Sequence, residues 1–281
     1  SHTALSLLEQ GHEVTILDNL INSNISVLHS IQSISSVQLN FVQGDVLDTA
    51  IVKETLKKFD INAVIHLAGL KAVGESVMNP LIYYKNNIQG TISLIEAMLS
   101  CNISALVFSS SATVYGVPDY LPINEEHPTN PNNPYGRSKL YIEQILMDIA
   151  QANQDWTIVN LRYFNPVGSH SGGLIGDYPN GVPNNLMPYI NQVASGQRPF
   201  LNIFGDDYDT PDGTGIRDYI HVEDLSDAHL AALNWINVPQ KNAVSNIHNF
   251  NIGTGTGYSV LEIIKTYERV NGLKIPYRIT A

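Results

Sequence analysis

A serine closes an apolar strand, and a tyrosine and a lysine follow one helical turn apart. Ser109-Ser110-Ser111-Ala112-Thr113-Val114-Tyr115-Gly116 follows the apolar run 105–108, and Pro134-Tyr135-Gly136-Arg137-Ser138-Lys139 opens an amphipathic stretch. Tyr135 and Lys139 share one helix face. A phenol titrating near ~10 is a poor base at neutral pH. A lysine ammonium one turn away, and a positively charged cofactor, both favour the phenolate. Such a group takes the proton from a sugar or alcohol hydroxyl while hydride leaves the carbon, and Ser111 is placed to hold that hydroxyl. A bare Tyr-x-x-x-Lys is more often a surface pair. The serine strand and the features below favour the chemical reading.

These residues need a scaffold, and the pattern supplies one. Helices are expected over 2–10, 49–58, 81–100 and 135–152, and strands over 14–17, 39–42, 63–67, 105–108 and 157–161. Near-continuous apolar strands spaced by helices predict a parallel sheet covered on both faces, an α/β doubly wound, Rossmann-type fold. From about residue 166, Gly, Pro, Asn and Asp become frequent, and a smaller mixed α/β domain is expected there. A strand over 217–222 then opens a helix at Glu223-Asp224.

Asp18, at the end of Val14-Thr15-Ile16-Leu17, is placed to accept ribose hydroxyls and repel a 2′-phosphate, which selects NAD over NADP. Asp45 closes another strand and caps the next turn. Leu67-Ala68-Gly69-Leu70-Lys71 follows a third strand, where small residues let a cofactor approach. His66 reads as a core histidine. Asn165, the free N–H groups at Asn185 and Leu186, and Arg217 make a second anion site. Gly253-Thr254-Gly255-Thr256-Gly257 imitates a phosphate loop, but no strand with a terminal acid follows it. It reads instead as a turn, with Ser259 capping the next helix. No glycine loop precedes the helix at 2–10. The chain is therefore expected to begin just after that loop and to be a fragment that, alone, neither folds stably nor keeps NAD.

The chain has 281 residues, 15 basic and 26 acidic, with a formal charge of -11. That balance argues against a nucleic-acid face. The single cysteine, Cys101, excludes an intrachain disulfide. With no signal peptide and no long apolar run, a cytoplasmic enzyme off the membrane is expected. The apolar residues of helices 81–100 and 135–152 exceed what one sheet contact requires, so the two helices are expected to pair with their copies in a twofold homodimer.

Together these motifs resemble the extended short-chain dehydrogenase/reductase superfamily, in particular its nucleotide-sugar epimerases. The resemblance runs through Gly11-His12 to Leu20, Ala68 to Ser76, Ser109 to Gly116, Pro134 to Lys139, Arg162 to Gly168, Pro183 to Tyr189 and Asp212 to Val222. It implies interconversion of UDP-glucose and UDP-galactose at C4 through a 4-keto sugar, with bound NAD. Tyr135, Lys139 and Ser111 would be catalytic. The cofactor would touch Asp18, Asn19, Asn22, Asp45, Val46, Leu67, Ala68, Gly69, Lys71, Asn86, Ser109, Tyr135, Lys139 and Phe164. The substrate would touch Ser111, Asn165, Asn185, Leu186, Asn202, Ile203, Phe204 and Arg217, and no metal is implied. Residues 1–165 would bind NAD and 166–281 the UDP-sugar, with a return to the first domain left open over about 215–235. The alternatives are a nucleotide-sugar 4,6-dehydratase, a UDP-N-acetylhexosamine epimerase and a non-catalytic NAD-binding module. A dehydratase needs an extra acid where this chain has Ala112-Thr113-Val114, and a module that had lost catalysis would lack Tyr135 or Lys139.

Overall fold

Apolar runs bounded by turn residues form the strands, and helices fill the intervals. The computed structural model describes residues 1–177, 183, 185–236 and 246–280. In chain order, α1 (His2–Glu9), β1 (Thr15–Asp18), α2 (Ser26–Ser35), β2 (Asn40–Gln43), α3 (Thr49–Lys58) and β3 (Ala63–His66) come first. Next come α4 (Val73–Met78), α5 (Pro80–Tyr83), a π-helical stretch Tyr84–Gln89, α6 (Gly90–Ser100) and β4 (Ala105–Ser111). A short 3-10 turn Ala112–Val114, α7 (Pro134–Ala152), β5 (Thr157–Tyr163) and β6 (Asn165–Val167) follow. The remainder is α8 (Leu186–Ala194), β7 (Leu201–Phe204), β8 (Ile216–His221), α9 (Val222–Ile236), β9 (Ile247–Ile252), β10 (Gly257–Ser259), α10 (Val260–Asn271) and β11 (Tyr277–Thr280).

The main sheet is parallel, in the order β3-β4-β5-β9, and β1 and β2 form a second parallel pair. Its central strand β4 alternates between two cores. Leu106 and Phe108 pack with Val52 and Leu56 of α3, Met98 of α6, and Ile142 and Leu146 of α7. Val107 packs the other way, with Val159, Leu161 and Ala232 of α9. Helices on both faces leave β4 no solvent side, which is why its apolar run lacks a polar alternation. The fold is therefore α/β with a parallel Rossmann-type sheet. Among the described residues, β1 and β3 each have one hydrogen-bonded neighbour.

Local chemistry fixes the helix starts. Asp48 accepts from Ala50 N and Ile51 N at the head of α3. Asn133 accepts from Gly136 N, with Pro134 in the first turn of α7. Ser259 and Glu262 form a capping box on α10, and Gly272 ends it left-handed. Beyond residue 166 the strands are short: β10-β8-β6 form one sheet and β11-β7 another.

The structure differs from expectation in two places. The single helix expected over 81–100 is interrupted by the π-helical stretch, whose wider turn sends the Asn87 side chain out to the loop after β3. β9 joins the main sheet beside β5, and α9 packs on α1. The return to the first sheet is thus carried by 222–236 and 247–252, whereas β8 stays in the smaller sheet. Cys101, at the end of α6, is half-buried and packs against the core.

Candidate active site

Three consecutive serines at the end of β4 meet one stripe of α7. The Ser109 carbonyl accepts from Lys139 Nζ at 2.6 Å. Ser110 Oγ donates to Glu143 Oε1 at 2.5 Å. Ser111 hydrogen-bonds the Tyr135 phenol and accepts from Thr113 N at 3.2 Å and Thr113 Oγ1 at 2.9 Å. Tyr135, Lys139 and Glu143 follow one another at successive turns of the helix, so a parallel strand end and a helix face converge on one spot.

Lys139 was expected to favour the phenolate, yet the protein by itself holds Tyr135 above its usual value. Burial of the phenolate outweighs the hydrogen bond from Ser111. The Lys139 ammonium lies 6.0 Å from the tyrosine ring centroid and is itself only 5% exposed. Burial pulls it down to about 8, partly opposed by Glu143. A positive charge brought next to the phenol is what would reverse the balance at Tyr135.

The support around this pair was not legible in the sequence. Asn87 donates to Leu70 O and Ser138 Oγ, both at 3.0 Å, and accepts from Leu70 N at 2.8 Å. It thereby ties the loop after β3 to α7. Ser76 Oγ accepts from Tyr135 N at 3.2 Å. His66 is a satisfied core histidine, 2.9 Å from Thr91 Oγ1 and pushed down to about 3, chiefly by burial. A Cβ on Gly69 would stand 3.2 Å from Asn87 Oδ1 and 3.9 Å from the Lys139 ammonium, so a side chain there would press on Asn87 first.

At the ends of β1 and β2, Asp18 Oδ1 accepts from Leu20 N at 2.7 Å and Ser23 Oγ at 2.8 Å. Its Oδ2 takes no donor among the described residues. Asn19 donates to Asp45 Oδ2 at 2.9 Å, and Asp45 Oδ1 caps Leu47 N at 2.9 Å. Asn22 is exposed in the same turn, and Val46 packs into the core beside Gly90. Leu67, Ala68 and Lys71 are exposed after β3, and Asn86 is half-buried in the π-helical stretch. Phe164 sits against Gly253. An acid with a free oxygen, small residues and an exposed leucine at parallel strand ends fit a dinucleotide. So does Lys139, whose ammonium spends one donor on Ser109 and has others to offer.

The second expected set is more dispersed. Asn165 donates to the Asp218 carbonyl at 3.0 Å, joining β6 to β8. Arg217, exposed on β8, turns its guanidinium to the Ile216 carbonyl at 2.6 Å. Asn185 and Leu186 begin α8, with Asn185 3.4 Å from Asp177 Oδ2. Asn184 lies outside the described residues. Asn202, Ile203 and Phe204 lie on β7; Asn202 accepts from Arg278 at 2.8 Å, Ile203 is buried and Phe204 is 71% exposed. The glycine-rich 253–257 loop gives its donors to a carboxylate of this chain. Asp218 accepts from Thr254 N at 2.9 Å, Thr254 Oγ1 at 2.7 Å and Gly255 N at 2.8 Å. Those donors would otherwise suit a phosphate.

Residues 1–253 match the model of the NAD dependent epimerase/dehydratase family. UDP-glucose 4-epimerase of Neisseria gonorrhoeae is 51% identical over 280 residues, covering 99% of this chain and 81% of the relative. The Bos taurus UDP-glucose 4-epimerase is 50% identical over 288 residues, covering 100% and 81%. A solved UDP-glucose 4-epimerase from Bifidobacterium longum, in complex with NAD+ and UDP, superposes with a TM-score of 0.94 at 48% identity, covering 99% of this chain and 82% of that one.

Proposed function

Because the chain belongs to the NAD dependent epimerase/dehydratase family, we propose that it interconverts UDP-glucose and UDP-galactose at C4 with NAD. The observation that carries the reading is the convergence of Ser111, Tyr135 and Lys139. It occurs in a chain about half identical to UDP-glucose 4-epimerases along nearly its whole length. Tyr135 takes the C4 hydroxyl proton as the C–H bond breaks. Ser111 orients that hydroxyl, and Lys139 stands beneath the phenol with donors for the cofactor ribose. NAD, when bound, accepts the hydride and gives it back. The 4-keto sugar turns over between the two transfers, and Tyr135 then returns its proton to the oxygen. Asn165, Asn185, Leu186 and Arg217 hold the diphosphate, and the β7 backbone at Asn202–Phe204 supports uracil. Residues 1–165, with α9 and β9, form the NAD half, and the remaining elements beyond 166 form the sugar-nucleotide half.

The test is turnover of UDP-galactose to UDP-glucose without added cofactor, followed by NMR. Loss of water to a 4-keto-6-deoxy sugar would replace this reading with a dehydratase. Absence of turnover in NAD-loaded protein would leave a binding module.

Asp18 carries the cofactor preference. The cofactor released on denaturation is expected to be NAD, and Asp18→Asn is expected to raise the relative affinity for NADP at least about tenfold. Mixed NAD and NADP in the unsubstituted protein would remove Asp18 from that role.

The same reading places the enzyme in the cytoplasm, in galactose metabolism, and in a homodimer. No helix among the described residues is long and apolar enough to cross a membrane. Met78, Leu81 and Ile82 are 74%, 79% and 54% exposed, and Tyr141 and Met147 of α7 are also open. Tyr84 and Tyr141 approach ring to ring at 6.3 Å, which joins the two surfaces. Contiguous exposed apolar residues of this kind mark an interface. Tyr83, Leu94, Ile95 and Met98, from the apolar set expected to pair, are core instead. Light scattering at micromolar concentration is expected to give twice the chain mass, and Leu81→Glu with Tyr141→Glu to give the monomer. A monomer in the unsubstituted protein would overturn this.

A further inference from the structure

Behind the proton-handling pair lies a buried acid and base. Glu143 is one turn beyond Lys139 on α7, and Arg162 reaches it from β5; the two side chains are 6% and 5% exposed. Arg162 donates to the carboxylate through Nε at 3.0 Å and Nη2 at 2.6 Å, and Ser110 adds a third donor. Arg162 Nη1 continues to the Tyr115 hydroxyl at 2.9 Å, which donates to Asn251 Oδ1 at 2.6 Å. One network thus fixes the carboxylate against β4, β5, β9 and the turn after β4. A buried ion pair is a weak source of stability, since apolar side chains of the same volume often serve as well. Its placement gives it another use.

We infer that Glu143 is a positioning residue for the reaction: its carboxylate, fixed by Ser110 and Arg162 one helical turn beyond Lys139, favours the buried ammonium that the Ser109 carbonyl holds beneath Tyr135. The inference rests on the reading of Lys139 as a working part of the site. The titratable and charged groups on the elements around Lys139 are Tyr135 and Glu143 on α7, His66 on β3, and Arg162 and Tyr163 on β5. Glu75 of α4 is taken up by Tyr83 at 2.7 Å, and the π-helical stretch offers the Asn87 amide. His66, pushed down to about 3, is neutral here; the Arg162 guanidinium opposes a second positive charge, and burial opposes it too. Of the charges in this set, Glu143 is the one that favours it, as the direction of its effect on Lys139 agrees.

The experiment is the pH dependence of kcat in NAD-loaded Glu143→Gln. The fall of kcat at high pH is expected to move to lower pH by about one unit, the low end for loss of an opposite charge nearby. The KM for UDP-galactose should change less than about twofold, and Glu143→Asp should restore most of the profile. A uniform fall of kcat at every pH, or an unmoved profile, overturns the inference and leaves the pair structural. If Glu143→Gln fails to fold, the double replacement Glu143→Leu with Arg162→Met, which also removes an opposing charge, is expected to move the fall to lower pH by less than about one unit, and an unmoved or raised profile there overturns the inference. Lys139→Met separates the two claims. Near-normal turnover there sinks the reading of Lys139 itself. An inactive Lys139→Met beside an unmoved Glu143→Gln profile sinks only the role of Glu143.

Discussion

Tyr135→Phe is expected to lower turnover of UDP-galactose at least about a hundredfold, the low end for loss of a general acid–base group. The substitution removes one oxygen and leaves the ring. That oxygen is the atom Ser111 hydrogen-bonds. The backbone N–H of the residue remains on Ser76 Oγ at 3.2 Å, so α7 keeps its start. The phenol meets only the reacting hydroxyl, while the expected diphosphate and uracil contacts lie on β6, β8, α8 and β7. Affinity for UDP-glucose by calorimetry should therefore stay within about threefold. Near-normal turnover would remove Tyr135 as the base. Because burial holds the phenol above its ordinary value, the intact enzyme needs a nearby positive charge to reach the phenolate. Ultraviolet difference titration should show Tyr135 ionising at lower pH with the oxidised, cationic dinucleotide than with the reduced, neutral one.

The strands and the reactive trio were legible because short-range pattern dictates them. A strand buried on both faces is an apolar run, as Ala105–Phe108 is, and a tyrosine and lysine one turn apart on a helix must share a face. Ser259 announced its own helix cap, which Glu262 completes as a capping box. What stayed hidden depends on tertiary partners. Nothing in Tyr84–Gln89 distinguishes a π-helical turn from an α-helical one until Asn87 has Leu70 and Ser138 to bond. The 253–257 glycines looked like a phosphate cradle because their amides do bind an anion, but Asp218, distant in sequence, supplies it. The burial that raises Tyr135 in the ligand-free protein was hidden because sequence gives the spacing of the lysine and not the depth of the pocket. Glu143 left one faint trace, an acid on the apolar stripe of α7, four residues past Lys139. Its meaning required Arg162, which arrives from a separate strand.

The same burial makes Lys139 a source of instability, and Lys139→Met should expose the trade. Turnover is expected to fall at least about a hundredfold, because the ammonium beneath the phenol is lost. The ligand-free protein should meanwhile become more stable. Lys139 titrates at about 8 in the folded chain, against an ordinary 10.5, with burial the main cause. Below about pH 8 both states carry the proton, and the folded state bears the full cost of a buried ammonium. Between 8 and 10.5 the unfolded chain binds the proton more tightly, so stability climbs with pH and the cost is gone near 10.5. A gap of this size is worth about 3 kcal/mol. Against it stands the Ser109 carbonyl, which loses the donor at 2.6 Å at a cost of about 1–3 kcal/mol. The net expectation at pH 7 is a gain of about 1 kcal/mol, or roughly 2–4 °C in Tm for a chain of this size. The gain should shrink at pH 9.5 and reverse by pH 10.5, where only the unpaired carbonyl remains. Thermal melts of the two proteins at pH 7, 9.5 and 10.5 test this. A lower Tm for Lys139→Met at pH 7 would mean that the ammonium is solvated or paired well enough to be free of the burial cost.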